Sequence, residues 1–414
     1  MINTGDTAWV LICGALVLFM TPGLAIFYGG MVRAKSTLNM MMMSFSAIGV
    51  TTILWTLYAY SLAFGEGGSL FGKLDHIGLA GTIDQVTGPE GHQIPVLAFS
   101  MFQLTFAVIT VALLSGAIAD RAKFSAWLLF TGLWITLVYA PVAHAAFTPD
   151  GYIAKKIGAL DFAGGTVVEI NSGAAALALA IVLGKREGFK RDPMRPHNVP
   201  LVLLGAGMLW FGWFGFNAGS ALQASSLAAT AMINTQVATA AAAISWLIVE
   251  KRREGSATSL GIASGAIAGA VAITPACGFV NPIGALVIGL IGGAASAWAV
   301  TRKFKWGYDD SLDVVGVHGV GGFVGMIGIG LLATKIANSA GADGLFISGS
   351  PSQLNKQFIA SIATAIYSFT ITWIIAKAIQ KTIGFRVDKN TEIEGLDTTI
   401  HAESAYDINN YTTR

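Results

Sequence analysis

The sequence is poor in charge. Only 12% of its 414 residues are Asp, Glu, Lys or Arg. Soluble globular domains carry about twice that fraction. Cysteine is scarce too. Cys13 and Cys277 both lie in apolar surroundings and read as packed thiols, not as a disulfide framework. The start, Met1 to Asp6, lacks the basic leader of a cleavable signal. The first apolar run is followed by Arg33 and Lys35, which predicts a retained span. No Walker loop, Cys/His metal spacing or nucleophile elbow occurs. Their absence argues against an ATP-driven pump, a metal cofactor and an enzyme. A formal net charge of +2 implies no nucleic-acid partner.

Apolar length is what the chain has instead. Apolar residues make up 54%, and mean hydropathy is +0.65. Fifty glycines sit within the apolar runs, as in membrane helices that approach closely. Length alone would suggest two or three soluble domains. The hydropathy predicts one all-α integral membrane bundle.

A span needs about 20 mostly apolar residues. The sequence offers eleven: 7–30, 40–64, 95–119, 124–145, 162–183, 199–220, 227–249, 258–274, 282–300, 314–332 and 358–379. The eighth is short and interrupted by Gly265 and Gly269. Loops after odd spans hold fifteen Lys and Arg, among them Arg33, Arg121, Arg186, Lys251 and Arg302. Loops after even spans hold five: Lys73, Lys155, Lys156, Lys335 and Lys356. The basic side is cytoplasmic, so the N-terminus is outside and the C-terminus inside. Residues 1–384 then form the membrane domain and 385–414 a cytoplasmic tail. The tail holds Asp388, Glu392, Glu394, Asp397, Glu403 and Asp407. It reads as a polar extension without a fold, either a loose end or a regulatory segment.

A short repeat is visible. Span five opens at Asp161 and reaches Glu169; span ten opens at Asp310 and reaches His318. Each has an Asp, seven residues, then an ionisable group preceded by Val. Five spans separate them, so the copies run in opposite directions. Inverted repeats of spans 1–5 and 6–10 place a path at their interface near the midplane. Glu169 and His318 are the ionisable groups set well inside a span, and such groups are costly in lipid. Each lies ~12 Å in from its Asp, from opposite faces. In a ~30 Å core they reach similar depth and can meet. Such a pair can relay protons, or simply lock two helices together.

The remaining candidates have plainer readings. Asp161 precedes Gly164 and Gly165 and reads as a helix cap; its charge would also favour a cation at the outer mouth. Span six ends in an aromatic cluster, Trp210 to Ser220, which reads as belt or core. With a hydroxyl beside them, aromatic faces also hold cations. Phe102 and Phe106 share a face of span three. His144 reads as a structural histidine, and Met40 to Met43 as packing.

Several motifs together resemble one family. They are Asp161-Phe-Ala-Gly-Gly-Thr-Val-Val168, Trp213-Phe-Gly-Phe-Asn-Ala-Gly-Ser220, Thr274-Pro-Ala-Cys-Gly278, Asp313-Val-Val-Gly-Val-His-Gly319 and Phe27-Tyr-Gly-Gly30. In this order, across nearly the whole chain, they resemble ammonium transporters of the Amt/Mep/Rh type. The resemblance implies a homotrimer with an apolar pore in each protomer of a bacterial inner membrane. It implies an outer ammonium site of Ser220, Phe106 and Phe147, with Asp161 nearby. It implies a gate of Phe106 stacked on Phe216, and a pore bordered by Trp213, Leu209 and Val314. His318 would be one of two pore histidines. A PII-type signal protein would block the pore from the cytoplasm.

Two positions depart from the family. Glu169 stands where a second histidine is usual, and Phe147 where tryptophan is usual. Phe holds cations less well than Trp. Three functions are compatible with this pattern: ammonium transport through a Glu169/His318 relay, ammonium sensing with a fused signalling domain, and neutral gas conduction.

Overall fold

The structure is a computed structural model and describes residues 1–406. Asp407 of the tail lies outside the described residues. Among the described residues, ten helices are long and apolar enough to cross a membrane. They are Thr4–Met31, Ala34–Phe64, Val96–Ile118, Phe124–Phe147, Gly165–Leu183, Val199–Gly219, Ser226–Glu254, Pro282–Trp306, Val315–Leu332 and Ser352–Thr382. The shorter apolar helix Ser259–Ile273 fills the expected eighth place. It spans ~22 Å and ends in the turn around Thr274 to Phe279. Spans seven and nine pack along it. We number all eleven as spans in chain order.

Small residues let these helices touch backbone to backbone. Spans one and six form the most extensive helix pair. A Cβ on Gly205 would lie 2.4 Å from the Phe27 backbone nitrogen. Spans five and ten cross in the same way. A Cβ on Gly173 would lie 2.2 Å from the Gly319 Cα. One on Gly322 would lie 2.6 Å from the Glu169 Cβ. Thus the first and last members of the two expected repeats meet pairwise at the centre of the bundle. Cys13 and Cys277 are buried and unpaired, as the sequence implied.

The basic face is held by buried ion pairs. Asp120 accepts from Arg33 at 3.0 Å. The Arg186 guanidinium grips both oxygens of Asp309, at 2.9 and 2.8 Å. Beside them Asp310 accepts the Val315 N–H at the start of span ten, at 2.7 Å. Burial pushes the Asp310 carboxyl up to about 6, despite nearby Lys303.

The tail departs from its expected form. Its described part folds into two short helices, Lys389–Glu394 and Leu396–His401, docked on the basic face. The reason lies in orphan amides. Span two has free N–H groups at its start. Asp397, 1% exposed, accepts from Leu38 N at 3.0 Å and Asn39 N at 2.8 Å. Glu392 accepts from Glu187 N at 2.6 Å and from Arg386 at 2.7 Å. His401 bonds Asn39 at 3.0 Å. Asp397 and Glu392, which read as part of a polar extension, are acceptors for backbone amides of the membrane domain.

Two predictions follow from this packing. The methyl of Gly173→Ala meets main chain, which no rotamer relieves. It should cost more than about 3 kcal/mol or prevent folding. Gly319→Ala meets its nearest atom at 3.3 Å and should cost only about 1 kcal/mol. Melting temperature and monodispersity in detergent measure both. The second concerns Asp310, whose pKa is raised in the folded chain. Its contribution is full below the ordinary carboxylate range and lost as pH rises towards about 6. Asp310→Asn keeps an acceptor for Val315. Relative to wild type, the variant should gain up to about 3 kcal/mol between about pH 4 and pH 7. Thermal unfolding at both pH values checks it.

Candidate functional site

Spans five and ten begin with the same local device. Asp161 accepts N–H bonds from Gly164, Gly165 and Thr166 at 2.7–2.8 Å, and the Thr166 hydroxyl at 2.5 Å. Gly164 has φ +117°, a turn that an L side chain resists. The chain then enters a π-helix, Gly165–Ile170. In span ten the Asp310 carboxylate takes the Val315 N–H, five residues on, as Asp161 takes that of Thr166. A second π-helix follows, Val315–Val320. An added residue per turn re-aims side chains and is common at functional sites.

Each π-helix carries one ionisable residue. His318 Nδ1 and Glu169 Oε2 lie 2.7 Å apart. Glu169 is 0% exposed and His318 4%. The pair shares a proton: either the ring N–H donates to the carboxylate, or the carboxyl O–H donates to the ring. The second carboxyl oxygen, Oε1, has no partner among the described residues. An unpaired buried oxygen is costly unless a mobile guest satisfies it.

That pair forms part of the wall of a narrow void. The void has a volume of about 20 Å³, room for about one water-sized molecule. Glu169, His318, Trp213, Leu209 and Phe216 line it, with Met20, Leu24, Phe27, Tyr28, Ile109, Leu113, Val168 and Ile267. Apart from Glu169, His318 and the Tyr28 hydroxyl, the lining is apolar or aromatic. Tyr28 donates its hydroxyl proton to the Leu113 carbonyl at 3.1 Å. The Trp213 N–H is likewise occupied, donating to the Thr274 hydroxyl at 2.8 Å. Such walls accept a small neutral guest far better than a bare cation.

Towards the outer end, Phe106 stacks on Phe216, with centroids 4.1 Å apart and planes at 27°. Both rings are 1% exposed, and Phe216 also lines the void. Phe102 lies 4.9 Å from Phe106, and Trp213 lies 5.8 Å from Phe216. Ser220, partly exposed, donates its hydroxyl proton to the Phe216 carbonyl at 2.9 Å. The oxygen's lone pairs stay able to accept.

The structure therefore brings Glu169, His318, Trp213, Leu209, Phe106 and Phe216 together, with Ser220 one helical turn from the stack. It treats three other residues differently. Val314 is fully buried but outside the void's wall. Phe147 ends span four half-buried, its ring paired with neither Phe106 nor Phe216. Asp161 has both oxygens engaged by amides, which makes it a cap first. His144 is structural: its ring nitrogens face the Ala63 and Gly68 carbonyls at 3.1 and 2.8 Å.

Sequence reasoning missed the wall that spans one and three supply. The Phe27-Tyr28 pair was visible within the Phe27-to-Gly30 motif. If Glu169 and His318 meet through spans five and ten, the partners in the repeat, spans one and six, must flank them. That argument would have pointed to Leu24 and Tyr28.

The chain is similar to known proteins in sequence and in fold. The chain is 53% identical to an ammonium transporter of Mycobacterium tuberculosis (strain ATCC 25618 / H37Rv), over 98% of this chain and 90% of that protein. It is 50% identical to one of Bacillus subtilis (strain 168), over 97% and 98%. Its fold is similar to the crystal structure of Saccharomyces cerevisiae Mep2, with TM-score 0.85, 32% identity, and coverage of 94% and 88%. It is also similar to a structure described as a sensor Amt protein, with TM-score 0.86, 28% identity, and coverage of 96% and 98%. The family model of the Ammonium Transporter Family matches residues 8–406, and the chain, a multi-pass membrane protein, belongs to that family.

Proposed function

We propose that the chain carries ammonium inward by taking it apart. The observation that carries this reading is the buried Glu169–His318 pair on the wall of an apolar void. Ammonium gathers at the outer mouth, where the Ser220 hydroxyl accepts its hydrogen bond and aromatic faces hold its charge. Phe106 contributes a face there. Phe147 contributes a weaker one than Trp would, and Asp161 adds a negative potential through its capped helix start. The proton leaves at the Phe106–Phe216 gate. Ammonia crosses past Trp213 and Leu209, and past Val314 at the start of span ten. The proton passes separately through Glu169 and His318.

Two physical points support the split. A bare cation in an apolar passage this narrow is costly, and ammonia is not. The free Oε1 of Glu169 gives a proton or a polar guest a place to land. Charge then moves with each substrate, which a neutral gas channel would not show.

The remaining parts of the reading are organisational. The N-terminus lies outside and the basic face is cytoplasmic. Three copies form a homotrimer within membrane lipid, each with its own pore. A PII-type signal protein meets the basic face. A second reading, an ammonium sensor domain joined to a signalling module, draws on the likeness to the sensor Amt structure and on Glu169 and Phe147. Higher identity to proteins named as transporters favours conduction.

Proteoliposomes on a solid-supported membrane test this. An ammonium pulse should give a sustained, saturable current. Glu169→Ala and His318→Ala should each reduce it at least about tenfold, the equivalent of about 1.4 kcal/mol. Unchanged currents in either variant would sink the relay. Ammonium binding without current in the wild type would turn the reading to a sensor.

A further inference from the structure

Trp213 has one polar atom, and its placement is fixed by a residue outside the void. The indole N–H donates to the Thr274 hydroxyl oxygen at 2.8 Å. That hydroxyl in turn donates to the Ala270 carbonyl at 2.8 Å. Thr274 is 0% exposed, so no water competes for either bond. Its hydroxyl proton is committed backwards to its own helix, which leaves its lone pairs for the indole. No other partner of Nε1 is present among the described residues.

The next residue is tied to the opposite wall. Pro275 accepts the Phe162 N–H at 3.0 Å. Its ring packs under Gly165, where an added Cβ would lie 2.4 Å away. Gly165 opens the π-helix that carries Glu169. The turn itself is anchored: Asn234 donates to the Cys277 and Val280 carbonyls at 2.8 and 2.7 Å. Thr274-Pro275 thus joins the Trp213 wall to the Glu169 wall through one rigid corner.

We infer that Thr274 is a positioning residue for the void: it holds the Trp213 indole against the opposite wall and so sets the largest guest that can pass. The inference rests on the transport reading for its flux consequence and on geometry alone for the indole. The void admits about one water-sized molecule, so a small rotation of the indole changes its bore. Phe216 lies 5.8 Å from the same ring, so the gate stack would loosen too.

The test pairs Thr274→Val with Thr274→Ser. Valine keeps the shape and removes the bond; serine keeps the bond. A neutral hydrogen bond of about 1 kcal/mol corresponds to roughly fivefold in the population of one indole orientation. Thr274→Val should therefore raise the ratio of methylammonium to ammonium flux roughly fivefold. Thr274→Ser should restore the wild-type ratio. A lower melting temperature with an unchanged flux ratio would mean a purely structural hydroxyl and would overturn the inference. Absence of wild-type ammonium flux would defeat the transport reading, not this one. For that case, cryo-electron microscopy of Thr274→Val decides: a displaced indole supports the positioning role, and an unmoved indole overturns it.

Discussion

The crossing of Gly173 on Gly319 is the contact on which the rest of the pore depends. Two helices carrying an acid and a base can share a proton only if their axes nearly touch. Any side chain larger than hydrogen at Gly173 would force the backbones apart. Gly322 serves the same end, seating its helix against the Glu169 Cβ. In lipid there is no hydrophobic drive between apolar helices, so close packing of small residues has to hold them together. The ionisable pair and the glycines are therefore one device. The glycines permit the 2.7 Å contact, and the contact makes the buried acid and base tolerable.

Glutamate at this point changes the chemistry without changing the architecture. A carboxyl has two oxygens. One meets His318, and the other has no partner among the described residues and belongs to a residue on the wall of the void. A second imidazole would also bond His318, but it would bring no anionic oxygen. Phe216, one ring of the proposed gate, stands on the same helix as Trp213, whose indole is held by Thr274. The proposed gate, wall and relay are thus joined by ring contact, by the Trp213–Thr274 bond and by the packing of Pro275 on Gly165.

On the basic face the same economy appears in another form. Two loop arginines, Arg33 and Arg186, are paired with the buried Asp120 and Asp309. The tail closes this face by giving carboxylates to amides that span two leaves free. A hydropathy reading sees only polarity there, and polar runs usually mean loose chain. What distinguishes Asp397 from a solvated acid is the position of Leu38 and Asn39, more than 350 residues away in sequence.

The sequence by itself determined the membrane class, because length and apolarity suffice to name a span. It determined the alternation of basic loops that supports eleven spans. It also singled out Glu169 and His318, since lipid makes every buried charge conspicuous, and the equal offsets from Asp161 and Asp310 put them at one depth. Only the tertiary structure decided that Oε1 finds no partner among the described residues, that Val314 lies outside the lining of the void while Tyr28 is part of it, and that Phe106 and Phe216 stack on each other. It alone showed the π-helices that aim the pair, and Thr274 behind Trp213. The reason is physical. Hydropathy and spacing report how deep a residue sits, whereas rotation about a helix axis, and so the choice of neighbour, is set by the packing of other helices.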